Sequence, residues 1–272
     1  MSPSTTEKTY TTEVICLRAM DYGETDRIVH LYAAEKGRIS AIAKGAKRTN
    51  SKLAGACERL NLSEVQLASG RNLDVLCQYQ PQETFTGLRT DLLKLAYGML
   101  FADLIDATEA ANADSHAIFA RLRYGLHALD VAEPQETMGI GLAFQSALLE
   151  ILGTHPVFDA CIFTHAPLDP GALYYCFSPQ LGGITSPEMK RFQLNQQPNQ
   201  DTQNIEWVNV SAKTIALLAS PQEASWNDPQ RIKAQKFLRY YLKKVLEKDV
   251  HAYNLLFNIF ETFPQPFSFQ SM

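Results

Sequence analysis

Arg27-Ile28-Val29-His30-Leu31-Tyr32-Ala33-Ala34-Glu35-Lys36-Gly37-Arg38-Ile39-Ser40-Ala41-Ile42-Ala43 is the stretch whose reading decides the fold. Its apolar positions recur with a period of two on either side of Glu35-Lys36-Gly37, which is the pattern of two strands joined by a tight hairpin. Working outward, residues 12–17, 60–67 and 73–79 repeat the alternation, and Ser69-Gly70-Arg71 supplies a second tight connection. The longest gap falls between the third and fourth runs. Five short strands with one irregular segment suit a small closed barrel such as the OB-fold, in which closure hides the sheet edges. An SH3-like barrel is the structural alternative.

Beyond Phe85 the period changes to 3.6. Leu88, Leu92, Leu95, Ala96, Met99, Leu100, Leu104 and Ile105 form one broad apolar stripe, read as a single long helix. Residues 115–129 and 134–152 read the same way, with Pro134 suited to a first turn and Gly153 to a stop. Residues 155–187 dissolve into Pro, Gly and aromatics, and 193–204 are rich in Gln and Asn, so a small insert and an exposed loop are expected there. Helical spacing resumes at 211–218, 229–246 and 253–260. The fold class is therefore α+β, a five-stranded barrel followed by a helical domain.

The chain has 272 residues, enough for two domains with a small inserted third. Apolar residues at 46% and charged residues at 20% exclude wholesale disorder, a collagen-like repeat and a disulfide miniprotein. Five cysteines, an odd number with no tight framework, fit reduced thiols and a cytoplasmic location. The polar N-terminus does not resemble a signal peptide. The most apolar later run, 92–107, is interrupted by Lys94, Asp103 and Asp106, so no membrane span is expected.

The net charge of -4 hides strong local fields. Residues 36–59 carry seven basic residues against Glu58 alone, 101–170 carry two against ten acids, and 231–248 carry seven against Glu247. Charge runs are most often solvated faces. The first cluster differs because Lys44, Lys47, Arg48 and Lys52 lie on a segment leaving a barrel strand, where a groove-edge loop can follow a phosphate backbone. Arg27, Arg38, Lys44, Lys47, Arg48, Lys52 and Arg71 are the candidate phosphate contacts. Tyr22 and Tyr79 are the candidate stacking residues, and Tyr32, inside an apolar run, reads as packing.

No phosphate-cradling Gly-rich loop, His-Glu-x-x-His or Gly-x-Ser-x-Gly elbow occurs, and no enzyme is expected. The enzymatic alternative is a metal-dependent nuclease using Asp21, Glu24 and Asp26, or Asp103, Asp106 and Glu109. Both trios have plainer readings, the first in a turn between strands and the second on the polar side of an amphipathic helix.

Asp21-Tyr22-Gly23-Glu24-Thr25-Asp26-Arg27-Ile28-Val29, then Glu35 to Arg48 in order, and Leu53-Ala54-Gly55, resemble the N-terminal signature of the RecO family of bacterial recombination mediators. Phe85, Gly87, Leu88 and Arg89, Pro156 through Cys161, Phe177-Ser178-Pro179 and Gly182-Gly183 extend the likeness. The resemblance implies an OB-fold over 1–85, a helical domain in two parts (86–155 and 193–272) and a small zinc-finger-like insert over 156–192. It also implies binding to single- and double-stranded DNA, strand annealing, and partnership with RecR and single-strand-binding protein in loading RecA at the nucleoid. Family members that hold zinc use two C-x-x-C pairs; the corresponding positions here are Cys161 and Thr164, then Ser186 and Met189, so the insert is expected to be degenerate and metal-free.

In the last basic cluster, Ala234, Phe237, Leu238, Tyr241, Leu242 and Val245 form an apolar stripe, leaving the cations outward. Lys236, Arg239 and Lys243 are the candidate contacts for an acidic partner, which the resemblance identifies as the C-terminal tail of single-strand-binding protein. An OB-fold adaptor without annealing activity is the alternative reading of the whole chain.

Overall fold

The computed structural model describes residues 9–108, 114–196, 204–221 and 229–262. Two compact units emerge, one of residues 1–132 with 250–259 and the other of residues 133–249 with 260–272.

The first unit opens with a closed five-stranded barrel in the order β1-β2-β3-β5-β4, formed by β1 (Thr9–Tyr22), β2 (Asp26–Ala33), β3 (Gly37–Ala43), β4 (Leu62–Ala68) and β5 (Asp74–Glu83). All pairings are antiparallel except β3 with β5, which meet over two residue pairs, Ala41 with Asp74 and Ile42 with Val75. This is the OB-type barrel expected. Its interior is filled by alternate residues, Val14, Cys16, Val29, Leu31, Ile39, Ala41, Val65, Leu67 and Leu76. The small alanines on β3 let five strands close without a void. A short 3-10 turn, Ala54–Cys57, buries Ala56 and Cys57 against the same core.

The first strand is longer than the alternation suggested. A bulge between Cys16 and Arg18 shifts its register, and the chain then continues through Met20 to Tyr22 paired with Ile28 and Asp26. The bulge breaks the period of two, which is why the sequence pattern stops at residue 17. Gly23, at φ +61°, makes the turn that follows.

The single helix expected from Leu88 is two: α1 (Thr86–Thr90) and α2 (Leu92–Ala107). Asp91 is extended, and its carboxylate accepts from the N–H groups of Leu93 and Lys94 at 2.8 and 3.0 Å. It is an N-cap, which a continuous apolar stripe conceals. α3 (Ser115–Val131) follows, and α8 (Ala252–Thr262) contributes buried Tyr253, Leu256 and Ile259.

The second unit holds α4 (Thr137–Ile151), β6 (Val157–Cys161), β7 (Tyr174–Ser178), β8 (Gly183–Thr185), α5 (Pro187–Gln196), β9 (Val208–Ser211), α6 (Ala212–Ala219) and α7 (Arg231–Leu246). The four strands make one sheet in the order β6-β8-β7-β9. Phe177, fully buried, sets its ring edge against Phe237 and Tyr241 of α7 with centroids 4.8 and 5.2 Å apart. Gln145 and Gln235, also buried, satisfy each other's amides at 2.8 and 3.2 Å.

The segment read as zinc-finger-like has a donor set that does not fit zinc. The Cys161 thiol meets the Thr185 hydroxyl at 3.2 Å, and the Ser186 hydroxyl accepts from the Met189 N–H at 3.1 Å as a cap for α5. His155 meets the Ser146 hydroxyl at 2.8 Å, and Cys176 donates to Asn209. Among the described residues no three His, Cys, Asp or Glu side chains converge as a metal site would require.

Candidate nucleic-acid interface

At the barrel rim where β1 ends and β2 begins, the Asp21–Asp26 turn meets the segment leaving β3. Asp26 accepts from the backbone N–H of Gly45 at 2.7 Å and from the Thr25 hydroxyl at 2.9 Å. The N–H of Lys47 donates to the Thr25 carbonyl at 2.9 Å. Gly45 takes φ +67°, so a residue without a Cβ is needed to present its N–H there. The Gly45 N–H, then the Thr25 hydroxyl, hold the Asp26 carboxyl below the usual carboxylate range. Asp21 lies 3.0 Å from Lys47 Nζ and 3.3 Å from Arg27 Nε, and the Lys47 contact is the main cause of its lowered pKa.

These contacts shape the basic loop from below and leave Lys44, Arg48 and Lys52 exposed. Among the described residues these three make no ion pair. The structure therefore brings Arg27, Lys44, Lys47 and Arg48 together around one turn, with Tyr22, 52% exposed, at its edge.

One register row back from the rim lies a feature the sequence reading missed. Met20 pairs with Ile28 and Ile28 with Ile42, and all three point away from the barrel core, since the adjoining row Ala19, Val29 and Ala41 points into it. Met20 is 40% exposed, and Ile28 and Ile42 are half-buried. An apolar row on the outer face beside a basic loop is suited to receive unstacked bases. The bulge at Cys16/Arg18 hid Met20, because strict alternation counted from residue 12 assigns it no strand.

Arg38 sits at the far end of β3, roughly 17 Å from Ala43 at about 3.3 Å per residue. Its guanidinium donates to the Asp106 carbonyl at 2.8 Å and lies 3.7 Å from the Asp106 carboxylate. Arg18 and His30 also approach that carboxylate at 3.7 Å, and burial holds the His30 imidazole below its ordinary pKa despite Asp106. Asp103 pairs with Arg59. The carboxylates weighed as a nuclease site thus each face cations or backbone N–H groups, while Glu109 lies outside the described residues and Glu24 is exposed in the turn.

Arg71 is exposed in the β4–β5 connection, beside a shallow groove between that connection and β3. There Lys36 Nζ stands 3.4 Å over the Tyr10 ring, whose hydroxyl donates to Asp74. Tyr79 is half-buried against the core, and a Cβ on Gly55 would come within 2.8 Å of its ring. Its face is in contact with the 3-10 turn.

On α7, Ala234, Phe237, Leu238, Tyr241 and Leu242 are buried as the stripe requires, and Val245 is half-buried. Lys236 is exposed. Arg239 and Lys243 reach Asp249 at 3.4 and 2.9 Å, and Lys244 reaches Glu206 at 2.7 Å. Acids beyond the basic run therefore neutralise part of that face.

Among the described residues no helix is long and apolar enough to cross a membrane. A family model described as Recombination protein O N terminal matches residues 7–85, and one described as Recombination protein O C terminal matches residues 89–253. The DNA repair protein RecO of Pelotomaculum thermopropionicum is 31% identical over 252 residues, which cover 92% of this chain and 94% of that protein. The DNA repair protein RecO of Alkaliphilus metalliredigens is 30% identical over 254 residues, covering 92% and 96%. With both family models matched in order, from the barrel to the start of α8, the chain belongs to the RecO family.

Proposed function

We propose that this protein is a DNA repair and recombination mediator that binds single- and double-stranded DNA and anneals complementary strands. With RecR, it would help load RecA onto strands coated by single-strand-binding protein, in the cytoplasm at the nucleoid. The observation that carries the reading is the basic loop of Lys44, Lys47 and Arg48, fixed to the rim by Asp26 and Thr25 beside the outward row Met20, Ile28 and Ile42. The relatives named as DNA repair proteins support it.

The mechanism breaks no bond. Cations at the rim hold one strand by its phosphates and lower the repulsion between two polyanions, while the bases stay free to pair. Arg27, Lys52, Arg38 and Arg71 extend the positive path along the barrel, with Tyr22 as the stacking residue at the rim and Tyr79 as a second candidate. Lys236, Arg239 and Lys243 on α7 receive the acidic tail of single-strand-binding protein.

The test is the joint change of Lys44, Lys47 and Arg48 to Glu, followed by gel shift and annealing of labelled strands. Binding and annealing are expected to be lost with an unchanged melting transition. Full annealing by the folded variant would place the DNA site elsewhere. Binding to DNA by wild-type protein without any acceleration of annealing would make the chain an adaptor instead.

A further inference from the structure

Of the carboxylates in the turn at the candidate phosphate site, Asp26 and Asp21 both contact the loop, and their contacts differ in kind. Asp26 shapes the loop, because it accepts from the Gly45 N–H at 2.7 Å while the neighbouring Thr25 carbonyl accepts from the Lys47 N–H at 2.9 Å. Asp21 touches side chains instead. Its two oxygens reach Lys47 Nζ at 3.0 Å and Arg27 Nε at 3.3 Å, and its side chain is 62% exposed. Ion pairs this exposed contribute little to stability, so the loop does not depend on Asp21 for its shape. What Asp21 does is fill, with an oxyanion, the position between two cations that an incoming oxyanion would take.

We propose that Arg27 and Lys47 form a phosphodiester subsite that Asp21 keeps closed in the free protein, and that a phosphate of the incoming strand displaces the Asp21 side chain. The inference rests on the reading of the rim as a DNA site. Asp21 stands at the end of β1, next to exposed Tyr22 and Gly23, so its side chain has solvent to swing into. Exchanging one anion for another makes the net gain per contact small. A strand held this way is released readily when its complement arrives, which is what annealing needs from a protein that must also hold. Because the phosphodiester is common to single strands and duplexes, the gate acts on both.

The experiment uses the full chain with Asp21→Asn, which keeps the side-chain shape and removes the charge. Binding of a labelled single strand and a labelled duplex is measured at low and high salt, with the melting transition as a fold check. Affinity for both is expected to rise roughly three- to tenfold at low salt, and the gain should shrink as salt is added. Adding Lys47→Gln to Asp21→Asn should cancel most of the gain. Asp26→Ala should instead weaken binding, since it loosens the loop. Unchanged or weaker binding by folded Asp21→Asn overturns the gate. If the Glu triple variant at Lys44, Lys47 and Arg48 still binds DNA, the reading beneath the gate fails; if that variant loses binding while Asp21→Asn gains none, only the gate fails.

Discussion

The Gly45 N–H points into the Asp26 carboxylate at 2.7 Å, joining the first residue of β2 to the loop after β3 across 19 residues of chain. Through it the loop's position depends on a backbone conformation that only glycine adopts without strain. Gly45→Ala is expected to cost about 1 kcal/mol, the usual penalty for a left-handed residue with a Cβ. Urea unfolding would measure the loss. DNA affinity should fall with it, while Gly171→Ala, whose φ is not in the left-handed region, should leave affinity unchanged.

Binding at the rim should respond steeply to salt. With roughly four to six phosphates engaged, log affinity for a single strand should fall against log salt with a slope of about -3 to -4. A slope near zero would mean that apolar contact, not charge, holds the strand.

The outward row makes a separate prediction. Replacing Met20 and Ile42 with Ser should lower single-strand affinity and leave duplex affinity unaltered, because the row loses apolar surface that an unstacked base could cover. Competition binding with a single strand and its duplex would show this. An equal fall for both would mean that the row supports the barrel rather than the bases.

The burial of His30 sets the direction of one pH dependence. Its folded pKa is lowered by burial from the ordinary 6.5, with Arg18 and Arg38 adding to the effect and Asp106 opposing it. Protons therefore bind the unfolded chain first, and stability should decline as pH falls below about 6.5. His30→Gln should flatten the melting temperature between pH 7 and pH 5.5, a window above the range where Asp21 and Asp26 titrate. A melting temperature that falls equally in both proteins would assign the dependence to other groups.

Reversing Lys236, Arg239 and Lys243 to Glu should abolish binding to an acidic tail peptide and annealing of coated strands, while bare strands still anneal. Isothermal titration with the peptide and a parallel annealing assay would check it. Asp249→Asn should tighten the peptide about threefold, because it removes a carboxylate that competes with the peptide for Lys243. Loss of bare-strand annealing in the reversed variant would make α7 a second DNA surface.

The barrel was legible because its inner face is strictly alternating: Val29, Leu31 and Ala33, then Ile39, Ala41 and Ala43, all face one small core. The helices other than α5 were legible for the same reason at their own period; α5 (Pro187–Gln196) falls where the composition suggested an insert and an exposed loop, and residues 197–203 of that loop lie outside the described residues. What escaped were places where one residue breaks the rule, such as the bulge that extends β1 to Tyr22 and the capping carboxylate of Asp91 that divides α1 from α2. At the candidate site the cations could be read from composition alone. Their neutralisation could not, because Asp106 lies 68 residues from Arg38, and Asp21 faces Lys47 only through the fold. The β9 strand was hidden by its length, since Val208–Ser211 is too short to show a period.

Among the described residues, the last helix has a temporal meaning. Residues 252–259 of α8 belong to the unit built mainly from residues 1–132, and Tyr253 and Leu256 are fully enclosed. A growing chain thus cannot finish its first unit when residue 132 leaves the ribosome; it must wait while more than a hundred further residues are translated. During that interval the apolar surface that α8 will cover stays open to solvent and to chaperones. A helix made late completes a unit begun early, and a fragment ending before residue 250 should emerge from translation as a client of the folding machinery.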